Sequence, residues 1–394
     1  MSGRNAVIVD FVRTPFAKAY EPTSGSGKQG RLAHVLPDDM LASLVKALLE
    51  RTGINPNDIE TLLTGCVHQE AEQGLNLARL VVLHPGSGLP RTVGGVTVDR
   101  FCGSSMHVIG DAKNAILAGE AEAIICTGVQ SISRIPLAGW NPMINPQIYG
   151  GNAKGFMNMG ITAENLATRY GISRAAQEEF ALHSHQKAAA AWEKGSFRDE
   201  IIPTAGLDFD DNVRKDANLE QMAKLKPAFV QDGTVTAATS SPHTDGAVAV
   251  LVTSEAYAKQ HNLPILARLK AFAGSGCEPE IMGIGPVEAI QKCLKRASLN
   301  ITDIDIVELN EAFAAQCLAV LHELEKRGVP IPLERLNVEG GALALGHPLG
   351  ASGARLVGKA ASLLKKTGKR YALSSMCIGG GQGIAMILEN PECD

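Results

Sequence analysis

What this 394-residue chain lacks narrows its chemistry first. Its eight cysteines (Cys66, Cys102, Cys126, Cys277, Cys293, Cys317, Cys377 and Cys393) include no CxxC pair, so neither a zinc site nor a disulfide framework is suggested. A reducing compartment suits such thiols, and the cytoplasm is the expected location. Long hydrophobic runs are missing too. The opening "MSGRNAVIVDFVRTPFAK" holds six apolar residues interrupted by Asp10, too few for a signal h-region or a membrane span, and it reads as a first strand. It also lacks the Arg- and Ser-rich look of a transit peptide, and the closing "PECD" is no peroxisomal address. Excess charge of either sign is absent: a net charge of −4 gives no argument for nucleic acid, and an anionic small substrate would need a local basic patch. Aromatics make up only 4%, against 41 glycines and 45% hydrophobic residues, a composition that suits tightly packed helices on sheets. The length predicts two or three structural units of a soluble α/β enzyme.

The stretch "VDRFCGSSMHVI" (98–109) puts Cys102 where a strand pattern gives way to a helical one, Val108, Ile109, Ala112, Ile116 and Leu117. Unpaired N–H groups and the positive end of the macrodipole meet at a helix start and favour a thiolate. A free cysteine is more often an inert, buried hydrophobe, so this stretch leaves both readings open.

An internal repeat gives Cys102 a context. "LLERTGINPNDIETLLTG" (48–65) and "CLKRASLNITDIDIVELN" (293–310) align without a gap at an offset of 245, with Leu49/Leu294, Arg51/Arg296, Asn55/Asn300, Asp58/Asp303 and Ile59/Ile304 identical. Each reads as a helix end, a short turn and a buried strand. Further on, each copy has a Gly/Ser-rich elbow opening a helix, "CGSSMHVIGDAKNAI" in one and "GHPLGASGARLVGKAASLL" in the other, and each ends on a buried strand, "AEAIICTG" or "RYALSSMC". Two copies of one α/β unit predict a duplicated core with the elbows facing each other across a pseudo-twofold, bringing Cys102 and His347 together. Residues 129–235 break the pattern. They are rich in Pro, Gly and Asn at first, then carry a helix from about Arg174 to Lys194 and a charged run, and they read as an inserted loop domain of the functional kind. The expected division is 1–128 with 236–262 for the first half, 129–235 for the insertion and 263–394 for the second half.

Four stretches carry chemistry together: "VDRFCGSS" with Cys102, "LNEAFAAQ" with Asn310, "NVEGGALALGHPLGASG" with His347, and "SSMCIGGGQG" with Cys377. In this order they resemble the thiolase family, specifically the Cys-His-Cys thiolases that cleave or form 3-ketoacyl-CoA, and the resemblance covers essentially the whole chain. "CGSS", "LNEAFAAQ" and "MCIGGGQG" look most like the degradative, fatty-acid-oxidation branch. The resemblance implies duplicated βαβαβαββ halves in a five-layered α/β/α/β/α core. It implies coenzyme A as co-substrate with no other cofactor and no metal, a homodimer or homotetramer, and a hydratase/dehydrogenase subunit of a β-oxidation complex as a candidate partner. Cleaving the C–C bond of a 3-ketoacyl thioester needs a nucleophile, a base, donors for two oxyanions and an acid for the departing enolate. Cys102 is the expected nucleophile and His347 its base, while Cys377 protonates the enolate carbon. Asn310, through a water in the family, and His347 are expected to hold one oxyanion, and the backbone N–H groups of Cys102 and Gly379 the other.

Substrate contacts follow from the resemblance residue by residue. Met159 and the "TAEN" after it match the pantetheine-side segment, although Asn158 stands where biosynthetic members have histidine. Ser241 in "TSSPHTDGA" matches a serine near the CoA thiol, with Pro242 and Thr244 in place of the usual Gly and Asn. Arg214 matches an arginine at the adenine end. Within 133–159, Leu137, Trp140, Met143, Ile144, Phe156 and Met157 offer apolar surface for an acyl chain, or for the loop domain's own small core. Other patterns fail: "SGSGKQG" (24–30) has Pro22 and Gln29 where a phosphate loop needs Gly and Ser or Thr, and His183 and His185 are two apart on a helix, the wrong spacing for shared metal ligands. His243 reads as a loop residue. Against degradation stand two rivals: condensation, by a biosynthetic acetoacetyl-CoA thiolase or a carrier-protein synthase of the same fold, and a catalytically idle scaffold or lipid carrier. The synthase lacks a counterpart of Cys377.

Overall fold

The computed structural model describes residues 4–393; the outermost bounds of the two expected halves, residues 1 and 394, lie outside it. The first half runs β1 (Ala6–Arg13), β2 (Ala17–Lys18), α1 (Pro37–Thr52), β3 (Thr61–Cys66), α2 (Leu77–Leu83), β4 (Gly94–Val98), α3 (Ser104–Ala118) and β5 (Ala123–Gln130). Four helices follow before the next strand of the sheet, α4 (Pro146–Asn152), α5 (Met159–Tyr170), α6 (Arg174–Glu193) and α7 (Leu219–Ala223), and then come β6 (Thr244–Ser254) and α8 (Glu255–Gln260). The rest comprises β7 (Ala267–Gly276), α9 (Gly285–Ala297), β8 (Ile306–Leu309), α10 (Ala314–Lys326), α11 (Ala342–Leu345), α12 (Leu349–Thr367), β9 (Tyr371–Ile378) and β10 (Gln382–Glu389).

The repeat is visible in local detail. α1 starts on Pro37 with Asp38 and Asp39 in its first turn, where the macrodipole favours acids, and stops at Gly53 in the left-handed region. Ser298, 245 residues later, closes α9 in the same conformation, with φ 55° against 66°. Asn55 and Asn300 then cap matching single turns, and Ile59 and Ile304 bury themselves beneath them.

The strand order repeats with it. From one edge the sheet reads β4-β3-β5-β6-β1 and continues as β7-β10-β9-β8. β3 is parallel to β4 and β5, while β6 is antiparallel to β5 and β1. In the second half β8 is parallel to β9, and β10 is antiparallel to β9 and β7. A single parallel bridge, Val307 to Leu336, stands where β4 stands in the first half. In the sheet the halves meet where β1 pairs antiparallel with β7, Val7 opposite Arg268 and Ile8 opposite Ala267.

Apolar residues on both faces of these strands demand helices on both sides. The central layer, α3 and α12, fills the core between the two half-sheets with Ile109, Ile116, Leu356 and Val357. α1 and α2 cover the outer face of one half-sheet, α9 and α10 that of the other. The result is the five-layered α/β/α/β/α core. Among the described residues, no helix is long and apolar enough to cross a membrane.

Candidate active site

The central helices bring the elbows together. Ser105 Oγ accepts the Ala354 N–H at 2.9 Å, so α3 and α12 cross near their first turns. Cys102 and His347 each lie two residues before the first helical residue, Ser104 or Leu349.

The Cys102 elbow is tied down by short-range bonds. Phe101 is left-handed, with φ 45°, and its N–H donates to Asp99 Oδ1 at 2.8 Å. Ser104 Oγ donates to Phe101 O at 2.6 Å and accepts the Arg100 N–H at 2.8 Å. Gly103 caps α3, and a Cβ there would run into Ile378. The thiol sulfur accepts two backbone N–H groups, those of Gly379 and of Cys102 itself. Both favour the anion, yet burial outweighs them and pushes the thiol up to about 11. Burial thus opposes the anion that the helix start favours. The α3 N-cap is Gly103, one residue beyond Cys102, and Cys102 itself is half-buried.

His347 is likewise neutral. Burial, followed by the charge of Arg355, pushes the imidazole down to about 3. Its Nδ1 lies 2.6 Å from Ser352 Oγ, its backbone N–H donates to Thr244 Oγ1 at 3.1 Å, and Asn310 Nδ2 lies 3.3 Å from Nε2. Gly346 has φ 109°, and a Cβ there would sit 2.6 Å from Thr244 Oγ1. Asn310 follows β8 and donates its N–H to Ser375 O at 2.9 Å, which holds it alongside β9. Its Oδ1 is buried with no hydrogen-bond partner among the described residues.

Cys377 is the seventh residue of β9, opposite Gly383 of β10. It is 1% exposed and packs with Ala163, Phe313 and Met159. Burial, then the nearby Cys102 sulfur, pushes its thiol well above the ordinary range. The structure also gathers what the sequence scatters: Cys277 neighbours Cys377, and so does Cys317.

The substrate candidates divide. Met159 opens α5, which Asn158 caps by accepting the Gly160 N–H at 2.8 Å, and its sulfur would lie 3.6 Å from a Cβ on Gly379. Ser241 donates its N–H to Ala312 O at 2.9 Å, against the loop that carries Asn310. Arg214 is exposed; its N–H donates to His185 Nδ1 at 3.2 Å, and no contact joins it to Cys102, His347 or Cys377. His243 pairs with Glu21 at 3.7 Å. Trp140, Met143, Ile144 and Phe156 are exposed, on a segment tied at one end by the Trp140 N–H to Glu70 Oε2 at 2.5 Å and at the other by Lys154 to Glu280 at 2.6 Å.

Sequence reasoning missed Ser352, the hydroxyl of Thr244, and Glu311. Glu311 is buried, accepts from Ser184 Oγ (2.6 Å), Asn337 Nδ2 (2.7 Å) and the Leu343 N–H (3.2 Å), and so ties the Asn310 loop to α6 and to the segment before His347. An acid inside the apolar run "IVELNEAFAA" was the available signal, since a buried carboxylate must find partners.

A thiol, a neutral imidazole and a second thiol around backbone donors suit one kind of work: making and breaking thioesters at a cysteine, the chemistry of acyltransferases. Residues 6–256 match the model of the thiolase N-terminal domain and residues 263–390 that of the thiolase C-terminal domain. The chain belongs to the thiolase family. It is 44% identical over 402 residues to a 3-ketoacyl-CoA thiolase of Vibrio parahaemolyticus, covering 98% of this chain and 99% of the relative. It is also 44% identical over 396 residues to one of Pseudoalteromonas translucida, at 98% of each. The crystal structure of human mitochondrial 3-ketoacyl-CoA thiolase in complex with CoA superposes with a TM-score of 0.87 at 38% identity, covering 98% of both chains.

Proposed function

We propose that this chain catalyses CoA-dependent thiolysis of 3-ketoacyl-CoA to acetyl-CoA and an acyl-CoA shortened by two carbons. One observation carries the reading: the sulfur of Cys102 lies on the N–H of Gly379, two residues beyond Cys377, so nucleophile, oxyanion donor and second thiol adjoin one reacting centre. His347 Nε2 takes the Cys102 proton as the thiolate attacks the keto carbon. The Asn310 Oδ1 acceptor can hold a water whose other hydrogen points at that oxyanion. As the C–C bond breaks, its electrons pass to the enolate of acetyl-CoA and Cys377 gives the enolate carbon a proton. CoA then returns a proton to Cys377 and attacks acyl-Cys102 as its thiolate. The N–H groups of Cys102 and Gly379 hold the second oxyanion, and the departing Cys102 thiolate recovers its proton from His347.

Because both resting groups are neutral, substrate must trigger the proton transfer, which protects the thiol from side reactions. In this reading the halves, 1–128 with 236–262 and 263–394, supply the elbows, and the loop domain 129–235 supplies Met159, Arg214 and the apolar strap at 140–157 for CoA and the acyl chain. Unpaired edge strand β4, with Val96 49% exposed, and exposed Leu75 and Leu83 support pairing with a second copy. Eight free cysteines favour a reducing compartment, and we place the chain in the cytoplasm. The test is a steady-state assay with 3-ketoacyl-CoA and CoA. Stoichiometric acetyl-CoA release, with an acyl adduct on the Cys102 peptide, is expected; acyl exchange without acetyl-CoA would overturn thiolysis.

A further inference from the structure

Two hydroxyl groups meet His347, one from each half of the chain, and each has a backbone carbonyl within reach to take its hydrogen. Thr244 Oγ1, at the start of β6, donates to Pro242 O at 2.7 Å. Ser352 Oγ, in the first turns of α12, donates to Pro348 O at 3.0 Å. A hydroxyl has one hydrogen, so an oxygen that gives it to the carbonyl can only accept from His347. Thr244 Oγ1 takes the backbone N–H at 3.1 Å, and Ser352 Oγ lies 2.6 Å from Nδ1.

We propose that Thr244 and Ser352 form a hydroxyl clamp that locks His347 in its Nδ1–H tautomer, with the Nε2 lone pair held ready for the thiol proton. The proposal rests on the reading of His347 as the base. Ser352 is the positioning residue for the ring and Thr244 for the loop that carries it. Asn310 agrees with the clamp, since its Nδ2 lies 3.3 Å from Nε2 and can only donate. Arg355, whose charge reaches the imidazole, is engaged with Glu308 at 2.9 Å. Ser352 is 1% exposed and His347 5%, so water does not substitute for a lost hydroxyl. The wrong tautomer, Nε2–H, has no lone pair facing the thiol and cannot act as base.

Nitrogen NMR on histidine-labelled enzyme tests the clamp without reference to turnover, with His347→Asn identifying the His347 signals by their absence. The wild-type protein is expected to show His347 protonated at Nδ1 and bare at Nε2 across the neutral range. Ser352→Ala should mix the tautomers and lower kcat about 10- to 100-fold, less than the loss expected on removing the base itself, with KM for both substrates nearly unchanged. Thr244→Val should lower kcat less, and Thr244→Ser should restore it. A wild-type His347 protonated at Nε2 would overturn the clamp, as would Ser352→Ala with an unaltered spectrum and full kcat. If Ser352→Ala does not fold, the wild-type spectrum and the Thr244→Val and Thr244→Ser pair still decide. Full turnover in His347→Ala would instead strike the base reading, whatever the tautomer.

Discussion

The two halves of the chain are built alike and finished differently. Each places a reactive residue two positions before its central helix: a thiol in one, Cys102, and an imidazole in the other, His347. In each half the last parallel strand runs for eight residues, with Val129 seventh in β5 and Cys377 seventh in β9. Beyond that point they part. β9 returns to β10 through Gly379–Gly381, whereas β5 reaches β6 only after residues 131–243. The short turn keeps Cys377 and the Gly379 N–H beside Cys102 of the opposite half, and the long connection carries α4 to α7. In the proposed mechanism the two matching sockets are filled unequally: a thiol to be ionised in one, its base and a thiol that protonates carbon in the other.

The sharpest way to break this comparison is to empty one socket at a time. Cys102→Ala should abolish both acyl-CoA/CoA exchange and thiolysis. Cys377→Ala should keep much of the exchange, which needs only a nucleophile and its base, and lose thiolysis by about 10²- to 10⁴-fold. Equal loss of both activities in Cys377→Ala, with the fold intact by circular dichroism, would contradict the division.

Next in size is Gly346→Ala. At φ 109° an L side chain is strained and its Cβ meets Thr244 Oγ1, so a cost of about 1–2 kcal/mol or more is expected. Turnover should fall further than stability, because the same movement displaces His347. Urea denaturation beside kcat separates the two, and equal small effects would show that the elbow tolerates the shift.

The duplication was legible from sequence because it rests on local chemistry: Asn55 and Asn300 cap equivalent turns, and Leu49 and Ile59 are buried like Leu294 and Ile304. The ionisation state was not legible. A helix start argues for a thiolate, and only the packed structure shows that burial raises the Cys102 thiol instead. Thr244 was hidden for another reason. It meets His347 across 103 residues of sequence, and a threonine opening a strand carries no sign of its partner. Glu311 was readable in principle, as an acid among apolar neighbours, but its partners lie on α6, on the segment before His347 and at Asn337.

A third, milder test concerns pH. With the thiol raised to about 11, the reactive thiolate fraction grows as pH rises, so alkylation of Cys102 in the free enzyme should keep accelerating above neutral pH towards that value. A plateau already reached near neutrality would mean a thiolate–imidazolium pair at rest, and the two sockets would then share their proton before substrate arrives.

The smallest effect belongs to the long connection. If the strap at 140–157 receives the acyl chain, each buried CH₂ brings about 0.8 kcal/mol, close to fourfold in kcat/KM per methylene until the surface is filled. Trp140→Ala should flatten that rise from acetoacetyl-CoA to medium-chain 3-ketoacyl-CoA, with acetoacetyl-CoA turnover nearly unchanged. A wild-type profile that peaks at acetoacetyl-CoA would favour the condensing direction.

The central claim, one half for the nucleophile and the other for its proton chemistry, is tested most directly by trapping the acyl-enzyme. Wild-type and Cys377→Ala proteins are mixed with acyl-CoA, quenched in acid, and mapped by peptide mass. The account predicts one acyl group per chain on the peptide containing Cys102 in both proteins. An adduct on Cys377 in the wild type, or none in Cys377→Ala, would contradict it.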